Sequence, residues 1–230
     1  MTVTTTRLGQ AAGIATALAG AIFIAVQINH PAMDLDSVST TDWVVRNSAK
    51  TLMSALALAG LTGLYLRQRA RVGLVGLAGW LVLSAGYLLM FATTFLAAFA
   101  LPSAAQVAPG WTSDVVAAAF GGKPVGDIGA LSVVFAATGI CYVLGGLLVG
   151  ITTFRARVLA RWAAVLLAVG NASTLALAVL PASFNRPMAV PTGIALIGLG
   201  VSLWRDQRRE ATGAVPTTTA AAPTAQLSVR

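Results

Sequence analysis

The stretch LYLRQRARVGLVG, residues 64–76, decides how this chain folds. Arg67, Arg69 and Arg71 stand within five residues, with unbroken apolar sequence before and after them. A charged side chain at the centre of a bilayer costs about 3 kcal/mol or more, so the arginines mark a membrane boundary. The apolar runs on either side, 48–66 and 72–100, are then two helices joined by a very short connection. Such helices lie antiparallel and adjacent. FRARVLAR, residues 154–161, repeats the pattern further along.

Composition places the whole chain in the same environment. Of 230 residues 57% are hydrophobic and only 10% charged, with a mean hydropathy of +0.82. That is far from soluble averages. The apolar stretches are continuous rather than alternating, which calls for helices, and a hydrocarbon core of about 30 Å needs roughly 20 residues of helix. Six segments qualify, about 8–28, 48–66, 72–100, 128–153, 162–180 and 188–204. The expectation is an all-α, six-helix transmembrane bundle over 8–209, with a cytoplasmic amino terminus at 1–7 and a disordered cytoplasmic tail at 210–230. The apolar run of the amino terminus is long for a signal peptide, and no small-x-small cleavage pattern follows Gln27, so it reads as a span.

Charge sets the orientation. With six crossings, Arg7, Arg67, Arg69, Arg71, Arg155, Arg157, Arg161, Arg205, Arg208, Arg209 and Arg230 fall on one side, and Arg46, Lys50, Lys123 and Arg186 on the other. By the positive-inside rule the first side is cytoplasmic, which puts both termini inside a plasma membrane. Trp162 and Trp204 fit the inner aromatic belt and Trp43 the outer one. The net charge of +8 sits in short clusters between apolar segments, a distribution that argues against nucleic acid and for the bilayer, with anionic headgroups at the cytoplasmic arginine loops.

Elaboration is expected outside. Within 101–127 a short helix is predicted over 113–120, capped by Thr112 or Ser113 and stopped by Gly121 and Gly122. After Glu210 an Ala/Thr/Pro-rich sequence has no periodic apolar face. Residues 42–69 and 127–155 share an order of outer start, span and inner arginine, each followed by RARV; this is either a parallel repeat or the resemblance that Ala/Leu/Gly helices with arginine loops have to one another. Gly13, Ala17 and Ala21, the Gly146/Gly150 pair, and Gly73, Gly76 and Gly79 have helix-packing spacing, for use inside the monomer or in a homo-oligomer. Cys141, the single cysteine, reads as core packing.

Counting excludes several chemistries. The single histidine, His30, cannot make a bis-histidine haem site; no HExxH is present, and the only lysines, Lys50 and Lys123, are not mid-span. No metal site, cofactor or catalytic set is predicted. What remains are polar residues at costly depths. Asn171 lies near the midplane, as interhelical glue or as part of a site. Lys50 falls just inside the outer boundary, one turn from Arg46, and either snorkels to water or calls for an acidic partner among Asp34, Asp36 and Asp127, while Asp42 can serve Arg46. Asp127 is also placed to cap the fourth span. In QINHPAMDLD, residues 27–36, the polar groups mark the exit of the first span and bring His30 to the same rim.

VQINHP, GDIG, RARVLARWAAVLLA, SFNRP and PTGIALIGLGVSLWR together resemble a group of small bacterial multi-span proteins of unassigned activity, of the kind found in high-GC actinobacterial genomes. The resemblance covers 8–205. It implies six spans and residence in the plasma membrane, and no reaction or ligand.

Two functional readings follow. In the first, a small polar or amphipathic ligand enters from outside and meets His30, Asp34, Asp36, Arg46, Lys50 and Asp127, with Asn171 deeper. In the second, glycine faces and the outer helix dock partner membrane proteins. An intramembrane enzyme has only a lone histidine in its favour.

Overall fold

A computed structural model describes residues 4–175 and 186–213. Those residues are almost entirely helical: α1 (Thr5–Ala25), α2 (Leu35–Val38), α3 (Thr41–Phe99), α4 (Leu101–Val107), α5 (Pro109–Ala119), α6 (Leu131–Ala156), α7 (Arg161–Ser173) and α8 (Val190–Gly213), with a 3₁₀ turn at Pro187–Ala189. Four helical stretches are long and apolar enough to cross a membrane: Thr5–Ala25, Thr41–Phe99, Leu131–Ala156 and Pro187–Gly213. This is a helical membrane protein.

The 59-residue α3 is not straight. As a continuous rod it would run to roughly 88 Å. Gly73 has φ 58 and ψ −160, a conformation open in practice only to glycine, and the chain reverses there. Tyr65 and Trp80 stack at 5.1 Å across the turn. Further out, the Thr51 and Thr94 hydroxyls lie 3.0 Å apart, and Trp43 Nε1 donates to the Ala97 carbonyl at 2.8 Å, although 54 residues separate the latter pair. The predicted hairpin at 64–76 is therefore present, with arms 41–72 and 74–99. The second RARV also ends a helix in left-handed backbone, at Arg157 (φ 56).

Around the bundle, α1 packs on α8 and α3, α3 on α6, α6 on α7 and α7 on α8, which closes a ring. Apolar burial between helices brings little gain in lipid, so close contact must come from shape. Small residues provide it. A methyl group on Gly13 would meet the Gly200 carbonyl oxygen at 2.8 Å, and one on Gly200 would meet Ala17 N at 2.5 Å, so α1 and α8 touch backbone to backbone. On α3, Gly60 faces Thr16 of α1, whereas Gly79 and Gly86 face Leu148 and Cys141 of α6. Ala21, grouped by spacing with Gly13 and Ala17, is exposed instead. Leu61, Leu64, Leu83, Leu167, Leu196, Leu199 and Leu203 fill the interior.

The arginine-rich end is tied by Arg67, which pairs with Asp206 and, at 2.7 Å, with Glu210. This pairing explains why α8 runs to Gly213, past the expected end of the last span. Residues 210–213 are thus helix rather than tail, and 214–230 lie outside the described residues.

At the opposite end, which holds His30, a second core gathers Val38, Trp43, Leu101, Val115, Val116 and Ile128 under α4 and α5. Three expectations change here. The helix predicted over 113–120 starts at Pro109, whose ring suits a first helical turn, and Thr112 is buried inside it with its hydroxyl on the Ala108 carbonyl. Trp43 is 3% exposed beneath this hood, not part of a lipid-facing belt, whereas Trp162 is 58% exposed. Asp127 does not cap α6: it accepts from Gly129 N at 2.7 Å in the preceding turn, and Ala130 holds the cap position.

Candidate functional site

The His30 end is built from the exit of α1. After Ala25 the helix tightens, with Gln27 N bonding to the Ile24 carbonyl and Ile28 N to that of Ala25, and Asn29 ends it in left-handed backbone (φ 47). Such an exit leaves carbonyls without helical partners. Arg46 of α3 collects them: Nη1 donates to Val26 O at 3.1 Å and Ile28 O at 2.8 Å, and Nη2 to Asn29 O at 3.1 Å. Its Nε faces Asp42 at 2.9 and 2.7 Å, the one-turn pairing that the sequence indicated. Arg46 is thereby a cap for α1 as well as a charge. Sequence spacing gave no sign of the capping role, because the carbonyls lie about 20 residues away.

One turn further along, Lys50 Nζ lies 3.1 Å from His30 Nε2, and His30 Nδ1 lies 3.0 Å from Pro31 O. A carbonyl only accepts, so Nδ1 carries the proton and the Nε2 lone pair receives an N–H from the ammonium. Burial foremost, then the charges of Lys50, Arg186 and Arg46, hold the imidazole pKa down to about 4, against an opposing pull from the Pro31 carbonyl. Both ring nitrogens are engaged, so His30 is not poised as a general base. Arg186, entering from the segment before α8, is itself held below its ordinary value by burial and by the charge of Arg46. Three cations and a neutral histidine thus share one partly buried place.

The predicted acidic partner of Lys50 is absent, and the correction covers the whole chain, since all seven side-chain carboxylates lie among the described residues. Asp34 caps α2 through Ser37 N at 2.9 Å, which holds its carboxyl below the usual range. Asp36 is exposed in the first turn of α2. Asp42 serves Arg46, Asp127 serves its own turn, and Asp206 and Glu210 serve Arg67. Asp114 accepts from Val125 N and Gly126 N, both at 2.9 Å. The physical reason is local: the aspartates expected to answer Lys50 are spent on backbone N–H groups within a dozen residues of themselves or stand in solvent.

Asn171 is a separate matter. It is fully buried, donates from Nδ2 to Tyr142 O at 2.9 Å and accepts from the Thr192 hydroxyl at 3.1 Å, so it joins α6, α7 and α8. Gly146 leaves the room in which that amide lies. Asn171 is interhelical glue, its amide nitrogen spent on α6 and its amide oxygen on α8. A cavity of about 10 Å³, lined among others by Gln68, Trp80 and Thr153, has room for one water at most. Among the described residues no three of His, Cys, Asp and Glu gather as metal ligands would.

No family model, curated protein or solved structure matches the chain.

Proposed function

We propose that this chain is a six-span protein of the plasma membrane, both termini cytoplasmic, that binds a small polar or amphipathic ligand at an outward-facing His30 end. The arms of α3 support the span count: 32 and 26 residues give about 48 and 39 Å of helix, each enough for one crossing. So does the apolar sequence after α7, which runs on to Leu180. The excess of arginine at the other end supports the orientation.

The observation that carries the binding reading is the Lys50–His30 contact. A partly buried ammonium rests on a neutral imidazole, beside Arg46 and Arg186, with no carboxylate of the chain to answer it. Such a place is costly unless a ligand completes it. Binding fits better than passage through the bundle, whose interior is filled by leucines. The docking alternative loses ground, because Gly13, Gly146, Gly150 and Gly200 are all occupied by packing inside the chain.

Reporter fusions in each connection test the topology, and an external carboxyl terminus would refute it. For binding, Lys50→Gln should abolish ligand capture while the folded protein persists, and Asp127→Asn should leave it intact. Equal capture by Lys50→Gln and the parent chain would sink the binding reading.

A further inference from the structure

The charge at the His30 end is unbalanced, and its spare N–H groups belong to two cations. Lys50 has three N–H groups and gives one to His30. Arg186 has five and, among the described residues, no hydrogen bond or ion pair, although it lies close enough to Arg46 and His30 for the charges to act on each other. Arg46 is already committed to Asp42 and three carbonyls. His30 accepts at Nε2 and donates to its own chain at Nδ1, which leaves it no further acceptor to offer. The N–H groups left over belong to Lys50 and Arg186, and the three cations of the cluster exceed its one carboxylate, Asp42, by two.

A cationic group such as an ammonium would add to an existing excess of positive charge. A neutral hydroxyl would leave the charge uncompensated. An oxyanion meets both requirements, since phosphate and carboxylate oxygens only accept and carry the missing charge. We infer that Lys50 and Arg186, backed by His30, form a binding site for a phosphate or carboxylate oxyanion, carried by a lipid headgroup or free in solution. Arg46 stands behind the site as the clamp that fixes the α1 exit, and so fixes His30. This inference rests on the reading of the His30 end as a ligand site and adds the charge and chemistry of the ligand.

The arginine-rich end will also attract anionic lipid, so the readout must be local. The chain offers one, because His30 is its only histidine and gives a single set of imidazole NMR signals. The full chain is placed in micelles of an uncharged, phosphate-free maltoside detergent and its imidazole signals followed in three arms: added phosphatidylglycerol, added inorganic phosphate, and an added cationic amphiphile that carries no oxyanion. The expected result is that phosphatidylglycerol or phosphate shifts the His30 signals saturably and raises its titration midpoint, because a nearby anion offsets the surrounding cations. The first two arms distinguish the lipid source from the free one. Lys50→Gln and Arg186→Gln should each weaken the response about tenfold or more, the worth of one charge-assisted hydrogen bond. Lys123→Gln, an exposed lysine away from the cluster, should not.

A saturable shift with the cationic amphiphile alone would overturn the oxyanion assignment and leave a ligand site standing. No shift in any arm would overturn both. Should Lys50→Gln fail to fold, Arg186→Gln decides the question by itself, since Arg186 holds no other bond among the described residues.

Discussion

Gly146 and Asn171 are coupled in a way that a double-mutant cycle can measure. Asn171→Ala removes two interhelical bonds, to Tyr142 O and from Thr192, worth about 0.6 kcal/mol each in a membrane interior. The vacated amide adds about 1 kcal/mol for the space left at a fully buried position, for a total near 2 kcal/mol. Gly146→Ala acts from the opposite side: its new methyl falls on the Asn171 amide nitrogen and carbon, an overpacking that costs about 2 kcal/mol. Independent effects would sum to about 4 kcal/mol. In the double variant the amide is gone and the methyl takes part of its space. Relief is partial, because the Cβ of residue 171 is itself 2.6 Å from the new methyl. The expected total is about 3 kcal/mol, a coupling of about 1 kcal/mol in the sense of mutual rescue. Unfolding in mixed micelles by titration with a denaturing detergent, followed by circular dichroism, measures all four corners. Additivity within about 0.3 kcal/mol would refute the argument that Gly146 exists to house Asn171.

Three further outcomes follow from the same contacts. Gly73→Val places a β-branched residue at φ 58, ψ −160, and should cost about 2 kcal/mol or more and raise the distance between spin labels on the two arms; an unchanged distance and stability would mean that the reversal does not depend on glycine. Arg67→Gln releases Asp206 and Glu210, and should speed amide exchange over 206–213 with a loss of global stability no greater than about 1 kcal/mol, as these groups are partly solvated; protection that stays the same would separate the helix extension from the pairing. His30 should titrate near pH 4 rather than 6.5, so the unfolded chain binds more protons between those values; its contribution to stability is full above about pH 6.5 and is lost as pH falls toward 4, and a midpoint near 6.5 by NMR would contradict the Lys50 contact.

Much of the architecture was legible because it follows from one-dimensional rules. Arg67, Arg69 and Arg71 between two apolar runs imply a reversal, and the reversal is there, since three charges within five residues are too costly to leave in hydrocarbon. The one-turn Asp42–Arg46 pair was equally readable, for both partners ride one helix. Less was legible at the His30 end. His30 and Lys50 were each assigned to the rim, but their contact was not foreseen, because the sequence reading sought an anion for Lys50, whereas a neutral imidazole takes one of its N–H groups and leaves its charge unanswered.

What the sequence determined by itself is the solvent and the element type, apolar runs of bilayer length with charges at their ends; Gly73, grouped by spacing with the packing glycines of a span, is instead the point of reversal and has nothing packed against it. Tertiary structure alone decided which polar groups meet. Asp34, Asp114 and Asp127 were drawn to nearby backbone N–H groups, the Trp43 indole turned inward onto the Ala97 carbonyl, and Lys50 was left facing a neutral ring. The reason is physical. Hydropathy and charge act residue by residue along the chain, whereas a hydrogen-bond partner across helices depends on helix rotation and depth, which small residues such as Gly13, Gly146 and Gly200 set only when the bundle closes.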